Sequence, residues 1–303
     1  MITILGPTAT GKTAFAAQLA HQIGGEVISA DSRQVYRGMD IGTGKDIEDY
    51  LVNGQKVPYH LVDIVEPGYE YNVYEFQHDF LKAYEDVVSR KKIPVLCGGT
   101  GMYLEAVLNG YELLKVPDND ELRKTLRPKS MEELAVLFES YKSPHNLTDL
   151  TDRRRLVRAI EIADYYKKHE GSVKNFPKIE SVVFGIHFER SEIRERITAR
   201  LKKRMGEGMT SEIKTLLQKG VTPDQLKFYG LEYKFLTQYE LGEISKDEMF
   251  RLLNIAIHQF AKRQMTWFRR MEKRGHRIHW IDGNLSMKEK IAVVTGVLDE
   301  NKY

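Results

Sequence analysis

Short apolar runs alternate with segments of helical period over the first 112 residues of the chain. The apolar runs, each closed by turn residues, are MITIL (1–5), GEVISAD (25–31), YHLVDIV (59–65) and KIPVLCGGT (92–100). Residues 12–23 and 73–90 instead carry apolar side chains at the spacing of amphipathic helices. Strands that alternate with helices are typical of parallel βαβ units. The pattern therefore predicts an α/β fold with a doubly wound parallel sheet.

The pattern changes near residue 113. From there to residue 177 the predicted elements are helices, in NDELRKTL, SMEELAVLFESY and DRRRLVRAIEIADYYKKH. Strand-like runs return at ESVVFGIHF (180–188) and RIHWID (277–282), with mostly helical segments between them. We therefore expect an α/β core of residues 1–112 and 178–303, interrupted by a helical insertion of residues 113–177.

Composition narrows the class of protein. The 303 residues are 42% hydrophobic and 29% charged, as in ordinary globular proteins. No apolar run approaches the roughly 20 residues of a membrane span. MITIL runs directly into a glycine-rich loop and leaves no room for a signal peptide. We expect a cytoplasmic enzyme, with no membrane contact and no evident need for an obligate protein partner.

The single cysteine and the basic residues add two further expectations. Because Cys97 is the only cysteine, an internal disulfide is excluded. We interpret Cys97 as a buried apolar residue rather than a catalytic thiol. The net charge is only +3, but basic residues concentrate in residues 152–158, 190–204 and 262–277. Such runs are either solvated helix faces or a surface for a polyanionic partner. Three of them together favour the polyanion.

A phosphate-binding motif follows the first predicted strand. GPTATGKT fits G-x-x-x-x-G-K-[ST], a loop whose backbone N–H groups surround phosphate oxygens. Its residues are Gly6, Pro7, Thr8, Ala9, Thr10, Gly11, Lys12 and Thr13. Lys12 supplies a positive charge to the phosphate, and the Thr13 hydroxyl is a ligand for Mg²⁺. The motif indicates phosphate binding but does not identify the reaction.

Two further candidates stand at the ends of predicted strands. Asp31 ends GEVISAD, and Thr100 ends CGGT. Because ligands of such sheets lie beyond the carboxyl ends of the strands, both should be near Gly6–Thr13. Asp31 could hold Mg²⁺ through water, accept a proton from a nucleophile, or act only in a turn. GTGK (42–45) lacks the phosphate-loop spacing, so we interpret it as a loop or a substrate contact.

Five sequence blocks together resemble a known enzyme family. In chain order they are GPTATGKT, ISADSRQVYRGMDIGTGK, YHLVDI, CGGTGMYLEAVL and AKRQMTWFRR. This set is similar to the tRNA dimethylallyltransferases, also called tRNA isopentenyltransferases, from residue 4 to about residue 270. The resemblance implies a P-loop-type core with an inserted helical domain that binds the anticodon stem-loop. It also implies transfer of a dimethylallyl group from dimethylallyl diphosphate to N6 of adenosine 37 of tRNA.

The resemblance assigns roles in the reaction. Gly6–Thr13 would hold the diphosphate as a leaving group, with Lys12 and a Mg²⁺ on Thr13 neutralising its charge. Arg200 matches a family arginine close to the diphosphate. Asp31 would accept the proton of the adenine N6 amine, or hydrogen-bond to it, and Thr100 would contact the same nucleotide.

The resemblance also assigns contacts to tRNA. The matching positions are Asp31, Ser32, Arg33, Gln34, Thr100, Arg123, Arg153, Arg154, Arg155, Leu156 and Val157. The chain departs from the family pattern at Leu231 and Glu232, where relatives often have Tyr and a basic residue. It also has Arg204 where methionine is common.

Two other enzymes remain as alternatives. An adenylate isopentenyltransferase, which prenylates a free nucleotide, shares the loop and the acid but does not need the insertion. A small-molecule kinase would use the same loop to transfer phosphate from ATP. A non-catalytic RNA-binding module would leave Gly6–Thr13 and Asp31 unexplained.

Overall fold

A computed structural model describes residues 1–141, 152–169 and 175–300 of the chain. Its centre is a six-stranded sheet in the order β5–β2–β6–β1–β7–β8, in which all neighbouring strands are parallel. The strands are β1 (Ile2–Leu5), β2 (Glu26–Ser29), β5 (Tyr59–His60), β6 (Pro94–Gly98), β7 (Val182–His187) and β8 (Ile278–Asp282). A separate antiparallel pair joins β3 (Leu51–Val52) to β4 (Gln55–Lys56). The α/β fold with a doubly wound parallel sheet is confirmed.

The helices divide between the sheet unit and the insertion. Those of the sheet unit are α1 (Lys12–Ile23), α2 (Val73–Ser89), α3 (Gly101–Leu108), α7 (Arg190–Gly206), α8 (Met209–Gln218), α9 (Pro223–Phe228), α10 (Leu231–Glu240), α11 (Lys246–Lys273) and α12 (Met287–Glu300). Those of the insertion are α4 (Asp120–Leu126), α5 (Met131–Tyr141) and α6 (Arg153–Lys168). No helix within the described ranges is long and apolar enough to cross a bilayer.

The strand order places one loop at the centre of the sheet edge. β1 lies between β6 and β7, with Leu5 paired to Gly98 on one side and to Gly185 on the other. The connection after β1 runs to β2 on one side of the sheet, and the connection after β6 runs to β7 on the other, so the switch point where ligands of such folds bind lies between the ends of β1 and β6. The loop after β1 is therefore flanked by the residues that follow β6.

Two apolar cores support this edge. One packs α1 and α12 against the sheet around Ile4, Phe15 and Phe184. The other packs helices from α7 to α11 together with the segment after β2, around Tyr36 and Tyr233. The segment that follows Asp31 is thereby fixed between the sheet and the helices.

The apolar run of residues 59–65 was predicted as a strand, and this prediction is wrong beyond His60. Leu61 and Asp63 have φ values of 60° and 56°, in the left-handed region that an extended strand excludes. Leu61 and Val62 are nevertheless buried, at 7% and 8% exposure. An apolar run can be buried in a turn as well as in a strand, and the hydrophobic pattern does not distinguish the two.

The chain forms two compact units, residues 1–109 with 178–303 and residues 110–177. Inside the second unit, Leu126, Leu134, Leu156 and Ile160 are fully buried and form a small core of their own. α6 is capped by Asp152, whose side chain accepts a hydrogen bond from the backbone N–H of Arg155. The role of residues 113–177 as a tRNA-binding domain stays a prediction.

Candidate active site

The phosphate loop connects β1 to α1. Gly11, at the N-cap of α1, has φ 76°, and Ala9 has φ 66°. The Thr10 hydroxyl donates a hydrogen bond of 2.9 Å to the carbonyl of Pro7, which fixes the turn. Because the capping residue is a glycine, no side chain of its own covers the first N–H groups of the helix. A helix N-terminus of this kind attracts an anion through its N–H groups and its dipole.

Lys12 brings a partly buried positive charge to this loop. Burial lowers the pKa of Lys12, and the carboxylate of Asp31 opposes that effect while Arg200 and Arg204 reinforce it. These four charged groups therefore interact within one region. A bound anion would stabilise the protonated form of Lys12, because it would replace the water that burial has removed.

Cys97 lies beneath the loop and takes no part in this charge balance. Its Sγ is 3.6 Å from the carbonyl oxygen of Lys12, and its side chain is buried. Burial raises the pKa of the Cys97 thiol to about 12, so the thiol stays protonated at neutral pH. The prediction that Cys97 is a buried apolar residue is confirmed.

Two arginines of α7 approach the loop from the other side. An Nη of Arg200 is 3.4 Å from the Thr8 hydroxyl, and its other Nη donates to Asp46 at 2.9 Å. Arg204 donates to both carboxylate oxygens of Asp46, at 3.0 and 2.9 Å. The side chain of Arg204 is only 9% exposed, whereas that of Asp46 is 49% exposed. The structure thus brings Arg200 to the loop as the sequence predicted, and adds Arg204 and Asp46.

The segment that carries Asp46 is held in place by contacts of Glu212 and of the buried Lys45. Glu212 accepts hydrogen bonds from the backbone N–H groups of Asp40, Ile41 and Gly42. Lys45, with a side chain 1% exposed, pairs with Asp40 and Asp63. Of the two interpretations of GTGK, the structural loop fits better, because its lysine is directed inward.

Asp31, Ser32 and Thr100 meet beyond β2 and β6. Asp31 Oδ1 accepts a hydrogen bond of 2.9 Å from the backbone N–H of Arg33. Thr100 Oγ1 accepts one of 3.1 Å from the N–H of Ser32 and donates to the Ser32 hydroxyl at 3.4 Å. The second oxygen of Asp31 is left available to a ligand by these contacts. Asp31 and Thr100 therefore lie at the same sheet edge, as the strand pattern predicted.

The neighbours of Asp31 differ in what their side chains can do. The guanidinium of Arg33 lies over the ring of Tyr229, 5.5 Å from its centroid. Gln34 is 8% exposed; its amide donates to the carbonyl of Gly44 and accepts from the Ser29 hydroxyl. The expectation that the Gln34 side chain contacts RNA is not supported, because this side chain joins two segments of the protein.

Arg123 of the insertion is bound by a buried acid. It donates to both oxygens of Glu161, whose side chain is fully buried, and to Asp118. Arg158 also donates to Glu161, at 3.1 Å. Burial alone would raise the pKa of Glu161, but hydrogen bonds from Arg123, Arg158 and the Asn119 N–H lower it below its usual value. Arg123 is therefore a structural partner here, and an additional RNA contact stays a prediction.

In the segment from Arg153 to Val157, the arginines are exposed to solvent and the apolar side chains point into the core of the insertion. Arg153, Arg154 and Arg155 are exposed. An Nη of Arg153 donates to the carbonyls of Leu126 and Arg127, at the end of α4. Leu156 is fully buried, and Val157 packs against the same core. The Leu156 side chain fills the centre of the insertion, and RNA contact by the segment from Arg153 to Val157 stays a prediction.

Glu232, one of the departures from the family pattern, stands beside the arginines. Burial raises its pKa to about 7, against the opposing charges of Arg204 and Arg200. The preceding Leu231 has φ 39° and Gly230 φ 74°, so the chain turns sharply before α10. A carboxyl group with this pKa carries a partial charge near neutral pH, next to the cations of the loop.

Sequence reasoning did not identify two side chains that contact the loop and a third that pairs with Arg200. Asp46 pairs with Arg200, Arg196 Nε donates to the Ala9 carbonyl at 3.1 Å, and Gln264 accepts from the Thr8 N–H at 2.9 Å. One signal was present for Gln264, an amide residue at a position where the helical period of α11 places apolar side chains. Asp46 and Arg196 give no such signal, because their partners are far away in the sequence.

The donor atoms at the loop fit one kind of metal site. Among the described residues, no group of three or more His, Cys, Asp or Glu is arranged to hold a metal ion. The Thr13 hydroxyl, on the residue after Lys12, and the Asp31 carboxylate, whose charge acts on Lys12, are oxygen donors in this region. Mg²⁺ commonly keeps several waters and takes one or two protein oxygens together with substrate phosphates. The residues therefore fit a Mg²⁺ that arrives with a phosphorylated ligand.

A phosphate loop at the switch point of a parallel sheet, under a pair of arginines, defines a P-loop-type α/β protein that binds a phosphorylated ligand. Comparison with protein families narrows this class. Residues 34–271 match the family described as IPP transferase, and residues 1–62 match the one described as isopentenyl transferase. Because the first match spans more than half of the sequence, the chain belongs to the IPP transferase family.

Individual relatives agree with this assignment. A protein of Parabacteroides distasonis named tRNA dimethylallyltransferase 1 is 59% identical, over 99% of this chain and 97% of its own length. The tRNA isopentenylpyrophosphate transferase of Bacillus halodurans is 31% identical with a TM-score of 0.71, covering 99% of this chain and 95% of its own. A eukaryotic dimethylallyltransferase described as acting on tRNA has a TM-score of 0.77 at 22% identity, covering 99% of this chain and 79% of its own, and shares the fold.

Proposed function

We propose that this enzyme transfers a dimethylallyl group from dimethylallyl diphosphate to N6 of adenosine 37 of tRNA, and releases diphosphate. The observation that carries the proposal is the meeting of Lys12, Arg200 and Asp31. Lys12 interacts electrostatically with both the Asp31 carboxylate and Arg200, Arg200 reaches the Thr8 hydroxyl of the loop, and Asp31 follows β2, two strands from β1 in the sheet. This arrangement suits a reaction in which the cations stabilise a departing diphosphate and the carboxylate accepts a proton from the nucleophile.

The phosphate loop binds the donor through its leaving group. Negative charge grows on the diphosphate as the allylic C–O bond breaks. The N–H groups at the start of α1, Lys12 and Arg200 are fixed before the reaction and therefore stabilise the transition state more than the bound substrate. A Mg²⁺ held by Thr13 and the diphosphate oxygens would supply additional positive charge there.

Asp31 acts on the acceptor. The exocyclic amine of adenine is a weak nucleophile, so its orientation and the removal of its proton both affect the rate. Asp31 Oδ1 is held by the Arg33 N–H, which orients the carboxyl group and leaves its other oxygen for the amine. As the new C–N bond forms, this oxygen receives the N6 proton. Thr100 and Ser32 lie beside Asp31 and would contact the same nucleotide.

The acceptor adenine has to leave the stack of the anticodon loop to reach Asp31. Enzymes that modify a base extrude it into a pocket and recognise it there by edge contacts and stacking. The remainder of the anticodon stem-loop presents phosphates to basic residues. The exposed Arg153, Arg154 and Arg155 of the insertion are suited to bind these phosphates.

Nucleoside analysis of cellular tRNA tests the proposal. Mass spectrometry of tRNA digests would compare cells with the gene, cells without it, and cells that express the Asp31→Asn variant. We expect N6-dimethylallyladenosine, or a nucleoside made from it, only in the first. Its presence at equal abundance in all three would refute the proposed function.

A further inference from the structure

Gln264 is an amide residue on the buried face of α11. It is spaced along the helix with the buried Ile257, Ala261 and Phe268, and is only 7% exposed. A buried amide destabilises the protein unless both of its ends form hydrogen bonds. Its role therefore depends on what those two ends contact.

The two ends of Gln264 join two different parts of the candidate active site. Its Oε1 accepts a hydrogen bond of 2.9 Å from the backbone N–H of Thr8, in the phosphate loop. Its Nε2 donates one of 2.9 Å to the carbonyl of Gly99, in the turn after β6. These partners fix the orientation of the amide, since a backbone N–H needs an acceptor and a carbonyl needs a donor.

The turn at Gly99 is shaped around this contact. A Cβ atom at Gly99 would lie 2.4 Å from the Nε2 of Gln264, so any larger residue would displace the amide. The next residue is Thr100, whose hydroxyl contacts Ser32 through the hydrogen bonds described above. A continuous path of contacts thus runs from Thr8 through Gln264, Gly99 and Thr100 to Ser32.

We propose that Gln264 is a positioning residue that couples donor binding to acceptor binding. A diphosphate in the loop fixes the position of the Thr8 backbone. The two hydrogen bonds of Gln264 then hold Gly99 in one position as well. The following Thr100, with Ser32, is thereby placed to receive the adenosine. This inference rests on the proposed function, because it takes dimethylallyl diphosphate and tRNA as the two ligands. By thermodynamic linkage, tRNA must then strengthen donor binding by the same factor.

The test measures the factor by which tRNA tightens binding of the donor. The Kd of the slowly reacting analogue dimethylallyl thiodiphosphate would be determined with and without saturating adenosine-37 tRNA. We expect tRNA to tighten analogue binding about tenfold in the wild type, within the usual range of coupling between sites. In Gln264→Met, which keeps the side-chain length but loses both hydrogen bonds, the factor should fall to about two or less. Gln259→Met, an exposed position on the same helix, should keep the wild-type factor.

A second variant keeps the test decisive if Gln264→Met does not fold. Gln264→Glu retains an acceptor for Thr8 but loses the donor to Gly99, and should lose the coupling as well. Wild-type coupling in a folded variant, or no coupling in the wild type, would overturn the inference. Transfer of label to tRNA by the wild type is scored separately, so the inference can fail while the proposed function stands.

Discussion

Arginines in the two units of the chain are paired with acids that differ in exposure. In the sheet unit, Arg200 and Arg204 share Asp46, whose side chain is 49% exposed. In the insertion, Arg123 and Arg158 share Glu161, which is fully buried. Water screens the pair of Asp46 with Arg200, whose side chain is 32% exposed, so this pair can be exchanged for a ligand at little cost. A buried pair cannot, because separation leaves an uncompensated charge in the interior.

This difference implies a division of roles. In the proposed function, Arg200 and Lys12 of the sheet unit bind the diphosphate of the donor, next to the bond that breaks. In the insertion, Arg123 and Arg158 pair with the buried Glu161, and the proposed RNA contacts are the exposed Arg153, Arg154 and Arg155. Changes in the sheet unit should therefore alter the rate of transfer, whereas changes in the insertion should alter only tRNA affinity.

The largest effect is expected at Asp31. Asp31→Asn keeps the shape and the hydrogen bond to the Arg33 N–H but cannot accept a proton. Single-turnover transfer should slow by about 10²- to 10⁴-fold, the usual contribution of a general base. Diphosphate binding, measured by calorimetry, should be retained. A near wild-type rate would remove Asp31 from the mechanism.

Lys12→Ala and Arg200→Ala should each weaken donor binding and also slow transfer at saturating donor, by about 10²- to 10³-fold. The physical reason is that both cations interact most strongly with the charge that develops on the diphosphate. Arg194→Ala, an exposed position on α7, serves as the control and should leave both quantities unchanged. A loss of donor affinity with an unchanged rate at saturation would reduce Lys12 and Arg200 to binding groups.

The insertion offers the contrasting case. Replacing Arg153, Arg154 and Arg155 together by Ala should weaken tRNA binding, with a smaller difference at high salt because fewer counterions are released. The slope of log K against log salt should become shallower by about two to three, given a contribution of roughly 0.9 per phosphate contact. Donor affinity and the rate with bound tRNA should not change.

A matched variant controls for net charge in this experiment. Lys82 on α2 and Lys91 and Lys92 in the turn before β6 are also exposed. Their triple replacement by Ala removes the same charge and should leave the salt slope as it is. Equal slopes in the two triple variants would exclude Arg153–Arg155 from the RNA surface.

The smallest effect is expected at Asp46. Asp46→Asn removes the carboxylate that competes with diphosphate for Arg200, so pyrophosphate should bind about two- to fivefold more tightly, as expected for a partly exposed ion pair. Calorimetry at constant ionic strength measures this change. Weaker binding would mean that Asp46 positions Arg200 and does not compete with the ligand.

Local sequence patterns predicted the fold better than they predicted the contacts of the site. The helix expected over residues 12–23 is α1, and the switch point follows from the order of strands and helices. The error at residues 59–65 arose because burial and extended conformation are separate properties. Asp46 and Gln264 could not be assigned, since Asp46 contacts Arg200 across 154 positions and Gln264 contacts Thr8 across 256.

A transfer assay with three acceptors tests the central claim most directly. Radiolabelled dimethylallyl diphosphate and Mg²⁺ would be supplied with AMP, with an unmodified tRNA carrying adenosine 37, or with the same tRNA carrying guanosine 37. We predict label in the adenosine-bearing tRNA alone. Efficient labelling of AMP with inert tRNA would contradict the proposal and identify a free-nucleotide prenyltransferase. Phosphate release from ATP without labelling of any acceptor would indicate a kinase instead.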